Sequence, residues 1–382
     1  MIQKYDAIRP YTNEEMVAAL DRVAAHPLLT NILNFLFPGK DRKEFEVLLR
    51  SVRTVDEFQV KVMAPVLDRL IDSTVRELTY SGIENILRPE KSLLLGNHRD
   101  IVLDPGIMQM IFYRNQVPRT EIAVGDNLIS SQFIEDIMRS NRMIKVVRQG
   151  SRREIYESSS MLSSYIRESV GQARASIWLA QRSGRTKDGA DRTSQGVLKM
   201  LDMSGSGDFV ADFHQLAILP VSVSYEFEPC DFLKARELYI SRRQTYVKAP
   251  GEDLNSILTG ILQDKGRVHF HFGEPLTREE IEACANFDKN DRFRELAALL
   301  DRKINANYHL WPNNYIAYDL LHGTHQYVDH YTQEELHHFI GYVERGLDQL
   351  LGEQPEPVRA EFDRNELREL VLTIYANPLE GR

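Results

Sequence analysis

Between Thr79 and Pro275, short apolar runs of strand length alternate with longer segments of helical spacing, and this alternation constrains the chain more than any other feature. Parallel strands need long crossovers, usually helices, so the pattern reads as an α/β layer fold. The expected architecture is a mixed, mostly parallel sheet flanked by helices. Strands are expected at 92–96, 120–124, 143–147, 175–180, 217–225, 237–247 and 266–272. Helices are expected near 105–114, 130–140, 152–170, 194–203 and 253–264.

Both ends read as helical extensions. Thr12 and Glu15 form a capping box ahead of Met16, Ala19, Leu20 and Val23. A longer helix is expected over Val55–Leu78, with Phe58, Val62, Leu67, Leu70, Ile71 and Val75 on its apolar side. Two further capping boxes, Thr277/Glu280 and Thr332/Glu335, open helices beyond Pro275, followed by a loop at 352–357 and a last short helix near 365–375. The division is therefore 1–78 helical, 79–276 α/β and 277–382 helical.

No stretch approaches the ~18 uninterrupted apolar residues of a membrane span. The formal charge of −9 disfavours bulk attraction to nucleic acid, so any anion site must be local. Cys230 and Cys284 are too few for a disulfide framework. Cytoplasmic residence is the expectation.

Three blocks stand where strands end, the place where ligands collect in open α/β sheets. The first is Ser92 to Pro105. An apolar strand breaks at Gly96-Asn97, His98 follows, and carboxylates stand at Asp100 and Asp104, with Asp104-Pro105 read as the N-cap and first residue of a helix. A His beside an Asp has the parts of a general base and its orienter, while the bland reading is a buried His and a helix cap. The second block carries Arg139, Arg142, Lys145, Arg148, Arg152 and Arg153, six cations in fifteen residues without an acid. Such a strand-turn-helix suits a phosphate, or is a solvated cationic face. In the third, the strand ending at Ala180 runs into Arg182, Gly184, Arg185, Lys187 and Gly189, where glycines let backbone amides approach an anion.

Other features are weaker. His322, His325, His330, His337 and His338 cluster near the C-terminus without metalloprotease spacing and read as structural or surface residues. The apolar segment from Pro27 to Pro38, followed by Lys40, Arg42 and Lys43, suits either a lipid interface or packing onto the core.

In order, these blocks resemble the glycerolipid acyltransferase superfamily, the glycerol-3-phosphate and lysophosphatidate acyltransferases. Asn97-His98 matches the Asn-His of the first family motif, and the His98-Arg99 pair is similar to the glycerol-3-phosphate branch. Five residues, one more than usual, separate His98 from Asp104, with Asp100 nearer. Met143 to Arg148 resembles the second block. Ser183-Gly184-Arg185 resembles the Glu-Gly-x-Arg third block, shortened and with Ser in place of Glu. Ile218 to Val221 and Phe272 to Pro275 resemble the last two.

The resemblance implies acyl transfer from acyl-CoA or acyl carrier protein to a hydroxyl of glycerol-3-phosphate or lysophosphatidate in phospholipid synthesis. His98 would take the hydroxyl proton and either Asp104 or Asp100 would orient it, Asp104 being favoured because it sits at the helix start. Arg148 and Arg185 would hold the acceptor's phosphate, with Lys145 and Lys187 assisting and Asn97, Arg99 and Gly184 completing the substrate site. An apolar groove walled by the 217–225 strand would take the acyl chain. A thiolate leaves readily, so no cofactor or metal is expected beyond the thioester co-substrate. Two alternatives stand beside this: an acyltransferase for a non-phosphate lyso-lipid such as a lyso-aminolipid, and a non-catalytic lipid- or acyl-carrier-binding relative. The chain is expected to work at the inner membrane surface as a peripheral protein, without nucleic acid.

Overall fold

Strand-length apolar runs form the centre of the molecule because they are buried on both sides, as parallel strands under two helical layers must be. The computed structural model of the chain describes residues 2–88, 90–353 and 355–381. Seven strands form one sheet: β1 (Val75–Ser81), β2 (Leu93–Gly96), β3 (Glu121–Gly125), β4 (Met143–Val146), β5 (Ile177–Ala180), β6 (Leu219–Tyr225) and β7 (Gly266–Phe272). Their order is β1-β7-β6-β2-β5-β3-β4. From β6 to β4 every pairing is parallel, whereas β7 pairs antiparallel with β6 and parallel with β1. The expected mixed, mostly parallel sheet flanked by helices is the observed fold.

The helices run, in chain order, α1 (Asn13–Ala25), α2 (Leu28–Leu36), α3 (Arg42–Ser51), α4 (Val55–Phe58), α5 (Ala64–Thr74), α6 (Leu103–Arg114), α7 (Gln132–Ser140), α8 (Arg152–Gly171) and α9 (Gln195–Asp202). They continue with α10 (Phe209–His214), α11 (Asp231–Ser241), α12 (Glu252–Leu262), α13 (Arg278–Ala285), α14 (Asp291–Ala306), α15 (Pro312–His322), α16 (Gln333–Gly352), α17 (Glu356–Arg359) and α18 (Arg364–Glu380).

The two-residue period of a strand sorts the core. Leu93 and Leu95 of β2 face a cluster with α8, α9, α13 and α14, while Leu94 faces the opposite cluster with α5 and α6. The N-terminal helices α1 to α3 bury Met16, Leu20, Leu33 and Leu49 in a third cluster that includes Phe133 of α7. α11, α15, α16 and α18 form a fourth, around Phe339, Leu347, Val371 and Tyr375.

Four expectations need correction. The helix expected over 55–78 is α4, a π-helical turn at Gln59–Met63 and α5, and it stops at Thr74 because the chain enters β1, which lies partly before the boundary expected at 79. The π turn comes just before Pro65, whose missing N–H and ring disturb the preceding helical turn. The strand expected at 237–247 is instead the end of α11, whose Ala235 and Tyr239 share a buried face at helical spacing. Within the loop expected at 352–357, α17 begins at Glu356, and Gln354 lies outside the described residues. The helix after β2 begins at Leu103, so Asp104 is inside its first turn rather than its cap.

Candidate functional site

β2 is central, flanked by β6 and β5, and β2 to β5 all end at the same edge of the sheet. Gly96 ends β2 against Val221 of β6; a Cβ there would come within 2.9 Å of the Val221 carbonyl oxygen. The chain then turns over Asp104. One carboxylate oxygen, Oδ2, accepts hydrogen bonds from His98 Nδ1 at 2.8 Å, the Arg99 amide at 2.6 Å and the Asp100 amide at 2.9 Å. Oδ1 accepts from the Tyr225 hydroxyl at 2.6 Å. Winding the loop around the carboxylate accommodates the extra residue between His98 and Asp104. Burial and the Asp104 charge hold the Tyr225 hydroxyl well above its usual range, so it remains a donor.

Asp100 does not join this pair. Its Oδ1 caps α6 by accepting from the Val102 and Leu103 amides at 2.8 and 2.6 Å. Its Oδ2 faces Gly260 of α12 and has no hydrogen-bond partner among the described residues. Burial, reinforced by Asp104, pushes its carboxyl above the usual range. The proposed orienting role therefore fits Asp104 and not Asp100.

His98 stands edge-on to Trp178, with ring centroids 5.5 Å apart, and lines a cavity of about 560 Å³. With Nδ1 on Asp104, Nε2 is the nitrogen left for that cavity. Five cations line the same cavity: Arg148 follows β4, Arg182, Arg185 and Lys187 follow β5, and Lys248 precedes α12. Two of these are neutralised, Lys187 by Glu237 and Lys248 by Asp253. Arg185 is only 7% exposed, and its Nη1 has no hydrogen-bond partner among the described residues. A buried guanidinium without an ion pair is costly unless an anion completes its hydrogen bonds.

A second chamber of about 550 Å³ adjoins the first, sharing the apolar Ile101, Pro105, Ile122, Val124 and Leu128 and the polar Asn127, Lys248 and Asp253. Its walls are mainly apolar, with Met63, Leu67, Met110, Met138, Met143 and Ile257 among them. The expected wall, the 217–225 strand, contributes nothing to it, because the chamber lies over the β3–β4 end of the sheet, where Ile122, Val124 and Met143 line it, and β6 stands on the other side of β2.

Of the other sequence candidates, Gly184 lines the cationic cavity at φ +76°, a left-handed conformation suited to glycine. Lys145 lies on β4 outside the cavity lining. Asn97 and Arg99 are sealed in the interior and do not face a ligand. Asn97 instead bonds both backbone groups of Val223, and Arg99 pairs with Asp191 and Glu228. Within the cationic run, Arg139 and Arg142 are occupied by Glu135 and Asp56. Sequence reasoning missed Lys248, Glu237 and Asp253, which carry no motif, and Trp178 and Tyr225, which read as ordinary strand residues.

Residues 77–224 match the family model described as Acyltransferase. The matched stretch runs from β1 into β6 of the α/β layer. Among solved structures, the chain is similar to the crystal structure of the 1-acyl-sn-glycerophosphate (LPA) acyltransferase PlsC from Thermotoga maritima. The two share 13% identity over 75% of this chain and 92% of that one, with a TM-score of 0.35. No curated protein matches the chain at a significant level.

Proposed function

We propose that the enzyme moves a fatty acyl chain from an acyl-CoA or acyl carrier protein thioester to a hydroxyl of a phosphate-bearing, glycerol-type acceptor. The observation that carries this reading is Arg185, buried without an ion pair among the described residues and with Nη1 unpartnered, in the cavity onto which the His98–Asp104 pair opens. Arg185 and Arg148 bind the acceptor's phosphate, while Lys187 and Lys248 stay paired with Glu237 and Asp253. The acyl chain lies in the adjoining apolar chamber, which brings the thioester carbonyl to the junction of the two.

His98 Nε2 takes the acceptor's hydroxyl proton as the oxygen attacks the thioester carbon. Asp104 holds the ring by Nδ1 and stabilises the imidazolium, and its own four hydrogen bonds fix its orientation. Collapse of the tetrahedral intermediate breaks the carbon–sulfur bond. The thiolate leaves and receives the proton held by His98, so no acyl-enzyme is required.

One observation favours a second acceptor class. Glu237 and Asp253 line the same cavity, and the ammonium of a lyso-aminolipid would compete with Lys187 and Lys248 for them. A thiol-release assay with matched acceptors, with and without phosphate, tests both readings on wild type and His98→Ala. Turnover confined to phosphate-bearing acceptors supports the first; preference for an amino-lipid replaces it with the second.

The enzyme works at a membrane surface in this reading, since a long-chain product must pass into lipid. Leu254, Leu258 and Leu262 form an exposed stripe on α12, and Leu254 also lines the apolar chamber. The segment singled out in the sequence divides: Leu29 and Leu33 of α2 pack inward, while Leu28 and Phe35 are exposed. Among the described residues no helix is long and apolar enough to cross a membrane.

A further inference from the structure

The loop that carries Arg182, Arg185 and Lys187 is held from behind by the C-terminal helices, which lie outside the family match. Thr186 bonds the His98 carbonyl through its amide at 2.8 Å and Asp191 through its hydroxyl at 2.7 Å. Asp191 Oδ2 also accepts from Asn97 at 2.8 Å and from Arg99 Nη2 at 2.6 Å. Arg99 reaches Glu228, and Lys234 bonds both Glu228 and the Arg99 carbonyl. These two cations and two acids are all at most 5% exposed.

Helix α18 closes the far side. The Tyr375 hydroxyl accepts the Glu228 amide at 2.9 Å and donates to Asp231 at 2.8 Å. Asn377 donates to the Asp188 carbonyl at 2.7 Å. Gly189, at φ +79°, lies against the Ile374 carbonyl so closely that a Cβ would collide with it. A sealed ionic cluster is weak evidence for stability, since apolar packing often replaces it without loss; fixing one arrangement is its better-attested use.

We propose that Tyr375 and Asn377 of α18 are positioning residues that hold the Arg182–Asp191 loop in its anion-binding conformation, Tyr375 through the Arg99–Asp191–Glu228–Lys234 cluster and Asn377 by its direct bond to the Asp188 carbonyl. The proposal rests on the anion reading of the cavity and gives the C-terminal helices a part in it. None of the positioning residues touches substrate; they act through Arg185.

The test uses full-length Asn377→Ala, Tyr375→Phe and Gly189→Ala proteins beside Arg185→Ala. Without ligand, amide hydrogen exchange across residues 183–191 should rise by about fivefold or more in the first three, with β5 and β6 unchanged, the scale expected from losing one hydrogen bond. The KM for a phosphate-bearing acceptor should rise by about fivefold or more, with kcat and the donor KM within about twofold. Unchanged loop exchange in folded Asn377→Ala and Tyr375→Phe would overturn the positioning claim, whatever happens to Gly189→Ala. An unchanged acceptor KM in Arg185→Ala overturns the anion reading instead, and the exchange data still decide the positioning claim.

Discussion

Gly125 at the end of β3 and Arg148 just beyond β4 meet across adjacent strands: a Cβ built on Gly125 would lie 2.9 Å from the Arg148 guanidinium carbon. The same Cβ would come within 2.5 Å of Asn127 Oδ1. Both obstacles are the ends of flexible side chains and Gly125 has an ordinary φ of −65°, so the backbone can accept alanine. Gly125→Ala should therefore move Arg148 rather than unfold the protein. We expect the acceptor KM to rise about tenfold, the scale of one weakened charge-assisted hydrogen bond, with the melting temperature nearly unchanged. Acceptor titrations beside thermal unfolding check this.

The two acids near His98 should separate in kinetics. His98→Ala should lower kcat by a factor on the order of 10³ without loss of fold, within the range of general-base contributions. Asp104→Asn puts an amide where donors already converge and should cost kcat nearly as much. Asp100→Asn keeps an oxygen to cap α6 and removes a buried charge, so kcat should stay within about threefold and stability should not fall. Matched kcat values for the three variants decide it, and a larger loss for Asp100→Asn would transfer the orienting role.

Much of this arrangement was legible because strands and helices have different periods. Leu93 to Leu95, Ile177 to Ala180 and the alternation of Val268, Phe270 and Phe272 announced their strands, and the residues just beyond β2 and β5 were placed by them. Val75 to Ser81 was not, since Val75 and Leu78 continue the helical spacing of Leu67 and Ile71, and only pairing with β7 makes them a strand. Leu238, Tyr239 and Ile240 favour a strand locally, and packing of Leu238 and Tyr239 against the C-terminal helices makes the segment helical. The cavity itself was the least visible part. Glu237 faces Lys187 only because α11 folds back over the β5 loop, and Arg99 looks like a phosphate ligand until its acidic partners, 92 and 129 residues away, enclose it.

Acid should weaken the fold through His269. Burial is the main cause that lowers its pKa to about 4, with His309 and His271 adding to it. Thr79 and Ser81 hydroxyls bond its two ring nitrogens. In the unfolded chain the ring titrates near ~6.5. The unfolded state thus binds the proton first, and the His269 contribution to stability is fully present above pH ~6.5 and declines towards pH ~4. Urea midpoints at several pH values should fall over that window, and less steeply in His269→Gln. Parallel curves for the two proteins would remove His269 as the cause.

Membrane attachment should depend on α12 more than on α2. Leu258 and Leu262 are 38% and 57% exposed and lie on the same helix as Leu254 and Ile257, which line the apolar chamber. Leu33 of α2 is buried, so a charge there would disrupt the N-terminal cluster and report on folding instead. The informative variant is Leu258→Asp/Leu262→Asp, which loads two charges onto an exposed face and leaves the chamber lining intact. Each exposed leucine lost from a lipid contact weakens binding by at most about 1.5–3 kcal/mol, so the pair should reduce vesicle co-sedimentation by tenfold or more. Turnover with a short-chain, water-soluble donor and a soluble acceptor should stay at the wild-type level, because neither residue lines either cavity. Full co-sedimentation of the folded variant would move the membrane contact away from α12, leaving exposed Leu28 and Phe35 of α2 as the next residues to change.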